Sequence, residues 1–172
     1  MINCYDFYGL PVKFNIDEQE LKRKYHEKLK SNHPDFFVHD AEKHKEALIN
    51  SSLNNEAYKC LSDFYRRAVH LISINSIEFS EKLPADFLME MMDINELLED
   101  VKAKPAQDEI QKVSSLITQI ESDLKAGLSE KTKIFDHTDP VDANILNDVR
   151  DLLLKHKYIL RLKETLANIA AP

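Results

Sequence analysis

An imidazole, a rigid ring and a carboxylate follow one another at His33-Pro34-Asp35. His33 and Asp35 have the residue types of an acid–base pair, and both also make directional hydrogen bonds to a partner. Pro34 disfavours helical geometry at the residue before it, so a helix running up to His33 must stop there. The two side chains therefore fall on an exposed bend. Acid–base catalysis needs a pocket and tuned pKa values, and a bend between two helices offers little cover. No second cluster of polar groups accompanies the pair, so no catalytic residue is assigned. Docking on another molecule suits the bend better, with Pro34 limiting the entropy lost on binding.

The remaining reactive side chains form no such group. Cys4 and Cys60 make no CxxC pair and suggest no zinc site. Each reads as a small, half-buried hydrophobe, and a disulfide is not expected in a reducing compartment. His26, His39, His44, His70, His137 and His156 show no metal-ligand spacing. Neither a metal nor a cofactor is expected.

Helices must position the bend. The 172 residues include only two glycines, Gly9 and Gly127. That scarcity argues against hairpins and phosphate-cradling loops. Tyr5 to Tyr8 reads as a short helix stopped by Gly9 and Pro11, and Asn15 or Asp17 can cap the next one. There Leu21, Tyr25 and Leu29 recur every four residues as a narrow apolar stripe. Lys22, Arg23, Lys24, His26, Lys28 and Lys30 cover much of the rest. A third helix is predicted from Asp40 to Leu61, with Leu53, Ala57 and Leu61 on one face. Antiparallel packing across the bend buries Tyr25 and Leu29 against it. A further helical stretch runs from Arg66 to Ile74.

Asn75-Ser76 and Pro84 bracket the predicted domain boundary. Three helical patterns follow. The first, Asp86 to Val101, has the stripe Phe87, Met91, Ile94, Leu98. The second runs from Asp108 towards Phe135 with Ile110, Val113, Ile117, Ile120 and Leu124 spaced as a bundle seam, and Gly127 is a point of weakness or kinking. The third follows Asp139-Pro140, with Pro140 in the first turn, and carries Ile145, Val149, Leu152, His156 and Ile159.

Charge divides the chain. Residues 1–77 hold 11 Lys/Arg and 11 Asp/Glu; the rest hold 12 and 19, so the whole net charge of -7 lies in the second half. Acidic surface repels phosphate backbones, so nucleic acid is a poor partner. No apolar run approaches a membrane span, and residues 1–6 lack the basic and apolar regions of a secretory signal. No membrane association is expected, and a cytoplasmic monomer is. Between Asp86 and Asp100 stand six acids and no Lys or Arg. Leu88, Met89 and Met92 lie off the core stripe there, beside Asp93 and Glu96. An exposed Leu–Met patch with an acidic rim suits protein binding, because methionine adapts its shape.

The first half resembles a J domain, the module that activates ATPase chaperones of the DnaK class. The resemblance rests on Tyr5-Asp6-Phe7-Tyr8-Gly9-Leu10-Pro11, Leu21-Lys22-Arg23-Lys24-Tyr25, His33-Pro34-Asp35 and Asn55-Glu56-Ala57-Tyr58 with Leu61. Phe87-Leu88-Met89-Glu90 before an acidic helix resembles the HscB type of iron–sulfur co-chaperone. Asp63, Arg67-Ala68 and Leu71-Ile72 look like that family's linker helix. The expected fold is all-α: a J domain at 1–75, a linker at 76–84 and a C-terminal three-helix bundle at 85–172.

The resemblance implies a non-enzymatic co-chaperone for iron–sulfur cluster assembly. It implies docking on a DnaK/HscA-class ATPase chaperone through His33, Pro34 and Asp35 with Lys22, Arg23, Lys24, His26 and Lys30. It also implies binding of an IscU-type scaffold by Leu88, Met89, Met92, Asp93 and Glu96, joined by Tyr158 on the last helix. A J protein serving another client is the alternative. This sequence departs from the family's pattern at Phe36 for a Lys, Asn54 for an Ile, Phe64 for a Pro and Asp93 for a Glu. These changes bear on partner specificity.

Overall fold

The computed structural model describes residues 2–77, 82–138 and 142–170, and among them every regular element is helical. The expected first turn at Pro140 and residues 78–81 of the expected linker lie outside the described residues. Chain contacts separate a unit Met1–Glu78 from a unit Phe79–Pro172. No helix among the described residues is long and apolar enough to cross a membrane.

The first unit opens with α1, Cys4–Tyr8. Asn3 accepts the Tyr5 N–H at its start, and Gly9 ends it at φ 59° and ψ 43°. That left-handed conformation strains any residue with a β-carbon, so glycine stops the helix there. Helix α2, Glu18–Ser31, is capped by Asp17, which accepts from the Gln19 and Glu20 N–H groups. Helix α3, Ala41–Ser62, is capped by Asp40.

Side-chain bonds fix how α2 and α3 pair. The Tyr25 hydroxyl donates to Asn55 Oδ1 at 2.9 Å, and Ser51 Oγ donates to the Asn32 carbonyl at 3.2 Å. Residue numbers fall along α3 as they rise along α2, so the helices are antiparallel. Leu21, Ala57 and Leu61 are buried, whereas Tyr25, Leu29 and Leu53 are half-buried. The expected burial of Tyr25 and Leu29 is thus only partial, because the tyrosine keeps its hydroxyl at the rim with Asn55.

Asn54, 2% exposed, does more of the joining. Its amide donates to the Tyr25 carbonyl at 3.1 Å, and its Oδ1 accepts from the Tyr8 hydroxyl at 2.7 Å. The departure at Asn54 therefore has a structural reason: one amide links α1, α2 and α3. Helix α4, Phe64–Ile74, is capped by Asp63. On it Arg67 is buried and donates to the carbonyls of Phe14 and Leu61. These bonds satisfy carbonyls that the ends of helix and loop leave open.

The second unit contains α5, Ala85–Glu90; α6, Met92–Ala103; α7, Gln107–His137; and α8, Ala143–Ala170. The single helix expected over 86–101 is divided at Met91, which has φ -83° and ψ -6°. The predicted stripe survives the division. Phe87, Met91, Ile94 and Leu98 are buried with Val113, Ile117, Ile159, Leu162 and Leu166 in one core. The three-helix bundle thus consists of the α5–α6 segment, α7 and α8.

Lys131 pairs with Asp148 and Lys163 with Glu121, so α7 and α8 are antiparallel. One expectation fails here. Ile145 and Leu152 are only half-buried, and the buried face of α8 is Leu146, Val149, Leu153 and Ile159. Gly127 neither breaks nor ends α7. A β-carbon there would meet Leu152 Cδ2 at 3.6 Å, an ordinary contact. Gly127→Ala should therefore stabilise the chain by about 0.5–1 kcal/mol in urea unfolding, because a mid-helix glycine costs that much in entropy. A loss of stability would show that Leu152 cannot tolerate the contact.

Glu121 is buried on α7 between Lys125 and Lys163, both at 2.5 Å, with His156 Nε2 at 3.6 Å. Hydrogen bonds from Lys125 and Lys163 hold its carboxyl down to about 2. A depressed carboxyl pKa contributes stability above the unfolded value and loses it as pH falls through the folded one. Wild type should therefore exceed Glu121→Gln in stability near neutrality. The gap should shrink between about pH 4.5 and about pH 2, followed by thermal unfolding across that window. A gap that does not change with pH would remove the ionic account.

Candidate functional site

The bend after α2 is held by its own residues. His33 has φ -70° and ψ 125°, the extended geometry that a following proline favours. Pro34 then opens a short 3-10 turn, Pro34–Phe37. The Asp35 N–H donates to His33 Nδ1 at 3.3 Å, and the Asp35 carboxylate lies 3.6 Å from the same nitrogen. With Nδ1 accepting, the neutral ring carries its proton on Nε2. The His33 side chain is 44% exposed and that of Asp35 82%. Both groups stand in water, which gives an acid–base pair no desolvated site and gives a docking pair free access.

The basic positions of α2 fall into two sets. Lys22, His26 and Lys30 are exposed at four-residue spacing, a line that leads along the helix towards His33. They make no ion pair among the described residues. Arg23 instead meets Glu27 at 2.5 Å and Glu20 at 4.0 Å. Lys24 is half-buried, 3.8 Å from Glu20. The expected basic face is therefore partly neutralised on the Arg23–Lys24 side.

Exposed apolar side chains stand on the turn, just after it and on α3, and of these the sequence pattern singles out only Phe36. Phe36 is 71% exposed, Val38 60%, Leu48 51% and Ile49 52%. The Phe36 ring lies 5.7 Å from that of His33. Leu48 and Ile49 sit on α3, which packs against the turn. Their signal was available in principle: they are apolar residues outside the Ala57–Leu61 stripe.

On the second unit, Leu88, Met89 and Met92 are exposed, as are Asp93 and Glu96. These residues lie on α5 and α6, turned away from Phe87 and Met91 in the core. Tyr158 of α8 is half-buried. Its ring meets Phe87 edge-on at 5.8 Å, and its hydroxyl accepts from the Asn95 amide at 2.9 Å. Tyr158 thus ties α8 to α5 and α6. Beside the patch a groove of about 570 Å³ is bordered by Glu90, Asp93 and Asp123 and floored by Leu97, Leu116 and Ile120. Leu116 and Asp123 belong to α7, so only the tertiary fold brings them to the groove beside Asp93.

One grouping has no counterpart in the sequence pattern. Cys4, Cys60 and His70, which no spacing connects, each place a ligand atom within 4.8 Å of the others. Cys4 and His70 are buried and Cys60 is half-buried.

Two helical units, one ending a helical hairpin in an exposed His-Pro-Asp turn and one a three-helix bundle with an exposed Leu–Met face, define a co-chaperone of the J-domain class. The family model described as the HSCB C-terminal oligomerisation domain matches residues 83–167. The co-chaperone HscB homolog of Pasteurella multocida is 30% identical over 164 residues, 90% of this chain and 94% of that protein. That of Shewanella denitrificans is 29% identical over 174 residues, 98% of this chain and 97% of that protein. The solved structure of the chaperone HscB from Vibrio cholerae superposes with a TM-score of 0.75 at 26% identity, covering 98% of both chains. The chain belongs to the HscB family of iron–sulfur co-chaperones.

Proposed function

We propose that this protein stimulates ATP hydrolysis by a DnaK/HscA-class chaperone and brings an IscU-type scaffold to it. The observation that carries the first half is the His33-Pro34-Asp35 turn, exposed yet held by its own hydrogen bond. A loop already in its bound shape loses little entropy on docking. Lys22, His26 and Lys30 supply attraction at longer range, which raises encounter rates and weakens with salt. Phe36, Val38, Leu48 and Ile49 add apolar contact once the partner has arrived. Stimulation then requires that these contacts be tighter to the hydrolysis-competent state of the chaperone than to its competitor. The co-chaperone contributes no group to bond chemistry in this reading.

The scaffold is assigned to Leu88, Met89, Met92, Asp93, Glu96 and Tyr158. Three exposed apolar side chains over an acidic rim suit a partner with an apolar segment flanked by basic residues. Methionine fits its shape to that segment, and the carboxylates align it.

Each half has its own test. In steady-state turnover of a DnaK-class chaperone, His33→Gln should abolish stimulation while leaving the fold and scaffold binding unchanged. Stimulation that survives this change would reject the docking role of the turn. Changing Leu88, Met89 and Met92 together to Ser should weaken IscU binding by more than about tenfold in calorimetry, as loss of buried apolar anchors does. Intrinsic J-domain stimulation of the chaperone, measured without scaffold, should persist in that variant. Unchanged scaffold affinity would move the binding site elsewhere.

A further inference from the structure

We propose that Cys4, Cys60 and His70 form a binding site for one soft, thiophilic d10 cation, Cu(I), held by two thiolates and an imidazole. The three residues come from α1, α3 and α4, and one ligand atom of each lies within 4.8 Å of the other two. At metal–ligand distances of roughly 2.0–2.3 Å, donors around a trigonal ion stand roughly 3.5–4 Å apart. Small side-chain movements therefore close the site. Cys4 and His70 are each 5% exposed, and the half-buried Cys60 provides the way in.

The imidazole is already in the form a metal needs. His70 Nε2 accepts the Cys4 backbone N–H at 3.0 Å, so its lone pair points at the residue that carries one of the thiols. Accepting that bond requires an unprotonated Nε2. The Tyr5 ring stacks on the imidazole at 5.9 Å and 22°, which restrains the ring plane. Metal capture exchanges the bond to the Cys4 N–H for a metal–nitrogen bond. Both thiols are pushed up by burial, Cys60 to about 12. They enter as S–H groups, so uptake forms two metal–sulfur bonds and one metal–nitrogen bond and releases two protons, with no change of oxidation state.

The donor set selects the ion. Zinc on two thiolates and an imidazole needs a water or another fourth ligand to complete its tetrahedron, whereas Cu(I) is satisfied by the three donors alone. A soft monovalent ion accepts low coordination and forms the strong thiolate bonds needed to displace protons from such thiols. Arg66 and Arg67 favour the Cys60 thiolate and so offset the net negative charge of the filled site.

The full-length chain, reduced and under anaerobic conditions, is titrated with Cu(I) against a chromophoric Cu(I) chelator. One Cu(I) per chain should be taken up, with X-ray absorption showing two sulfurs and one nitrogen. The loaded chain should unfold at higher temperature, since the ion ties α1 to α3 and α4. Cys60→Ser keeps the size of the side chain at a half-buried position and should preserve the fold, checked by circular dichroism. It should lower affinity by more than about a hundredfold, beyond what loss of an outer-shell partner costs. The chain also holds four methionines, whose thioethers can bind Cu(I), so the Cys4→Ser, Cys60→Ser double variant is what separates thiolate from thioether sulfur. Uptake no greater than that of the Cys4→Ser, Cys60→Ser double variant would overturn the site. Binding of Zn(II) in preference to Cu(I), with a four-coordinate shell, would overturn the assigned ion.

Discussion

The buried amide of Asn54 is satisfied in only one arrangement of the helices around it. Its nitrogen needs the Tyr25 carbonyl on α2, and its oxygen needs the Tyr8 hydroxyl on α1. An apolar side chain at this place would pack almost equally well after a small slide along α2. A buried polar group does not allow that, because each slide leaves a donor or an acceptor without a partner. Asn54 therefore sets the register of the α2–α3 pair. Ser51 and Asn32 repeat that register nearer the open end. The His33 turn inherits its position from these bonds, and its own Asp35-to-His33 bond only finishes the local shape.

Much of the fold was readable because caps and stripes are local. Asp17, Asp40 and Gly9 mark helix ends by chemistry that needs no neighbour. The exposed Leu88, Met89 and Met92 could be placed off the core because Phe87, Met91, Ile94 and Leu98 already fill one face. The same continuity hid the division at Met91. Backbone bonds from Met91 to Phe87 and from Asn95 to Met91 carry the stripe across it, so the pattern on either side stays in phase. Helix α8 was misread for a different reason. Ile145-Leu146 and Leu152-Leu153-Leu154 offer two overlapping apolar faces, and only packing against α7 selects Leu146 and Leu153. Arg67 and the cysteine–histidine group were invisible for a third reason. Their partners lie far off in the chain, and no periodicity links Cys4 to His70.

The two units handle charge in opposite ways. On α2 the carboxylates of Glu20 and Glu27 are close enough to occupy Arg23 and Lys24, while Lys22, His26 and Lys30 make no such pair among the described residues. Exposed pairs of this kind add little stability, so their main effect is to leave the positive line to Lys22 and Lys30, with the His26 imidazole between them. On the second unit the buried carboxylate of Glu121 is answered by Lys125 and Lys163, which reach it from the exposed side of the bundle. Among the described residues the acids at the start of α6 receive no such answer: the ion pair on α6 is Lys102 with Glu99, at its far end. Negative field is thus left where Met89 and Met92 are exposed.

This arrangement separates attraction from selection within each surface. Unpaired charge acts over about a Debye length and is indifferent to small errors of shape. Apolar contact acts only when surfaces meet, and it rewards fit. Phe36 and Leu48 beside the basic line, and Met89 and Met92 beside the acids, are placed to act in that second stage. A substitution that changes charge alone should then alter how fast a partner arrives, and one that trims the apolar groups should alter how long it stays. Departures such as Phe36 fall in the second class. On the proposed function, the identity of the partner would be read at the turn and at the methionines, and the charges around them would set the rate at which candidates are presented.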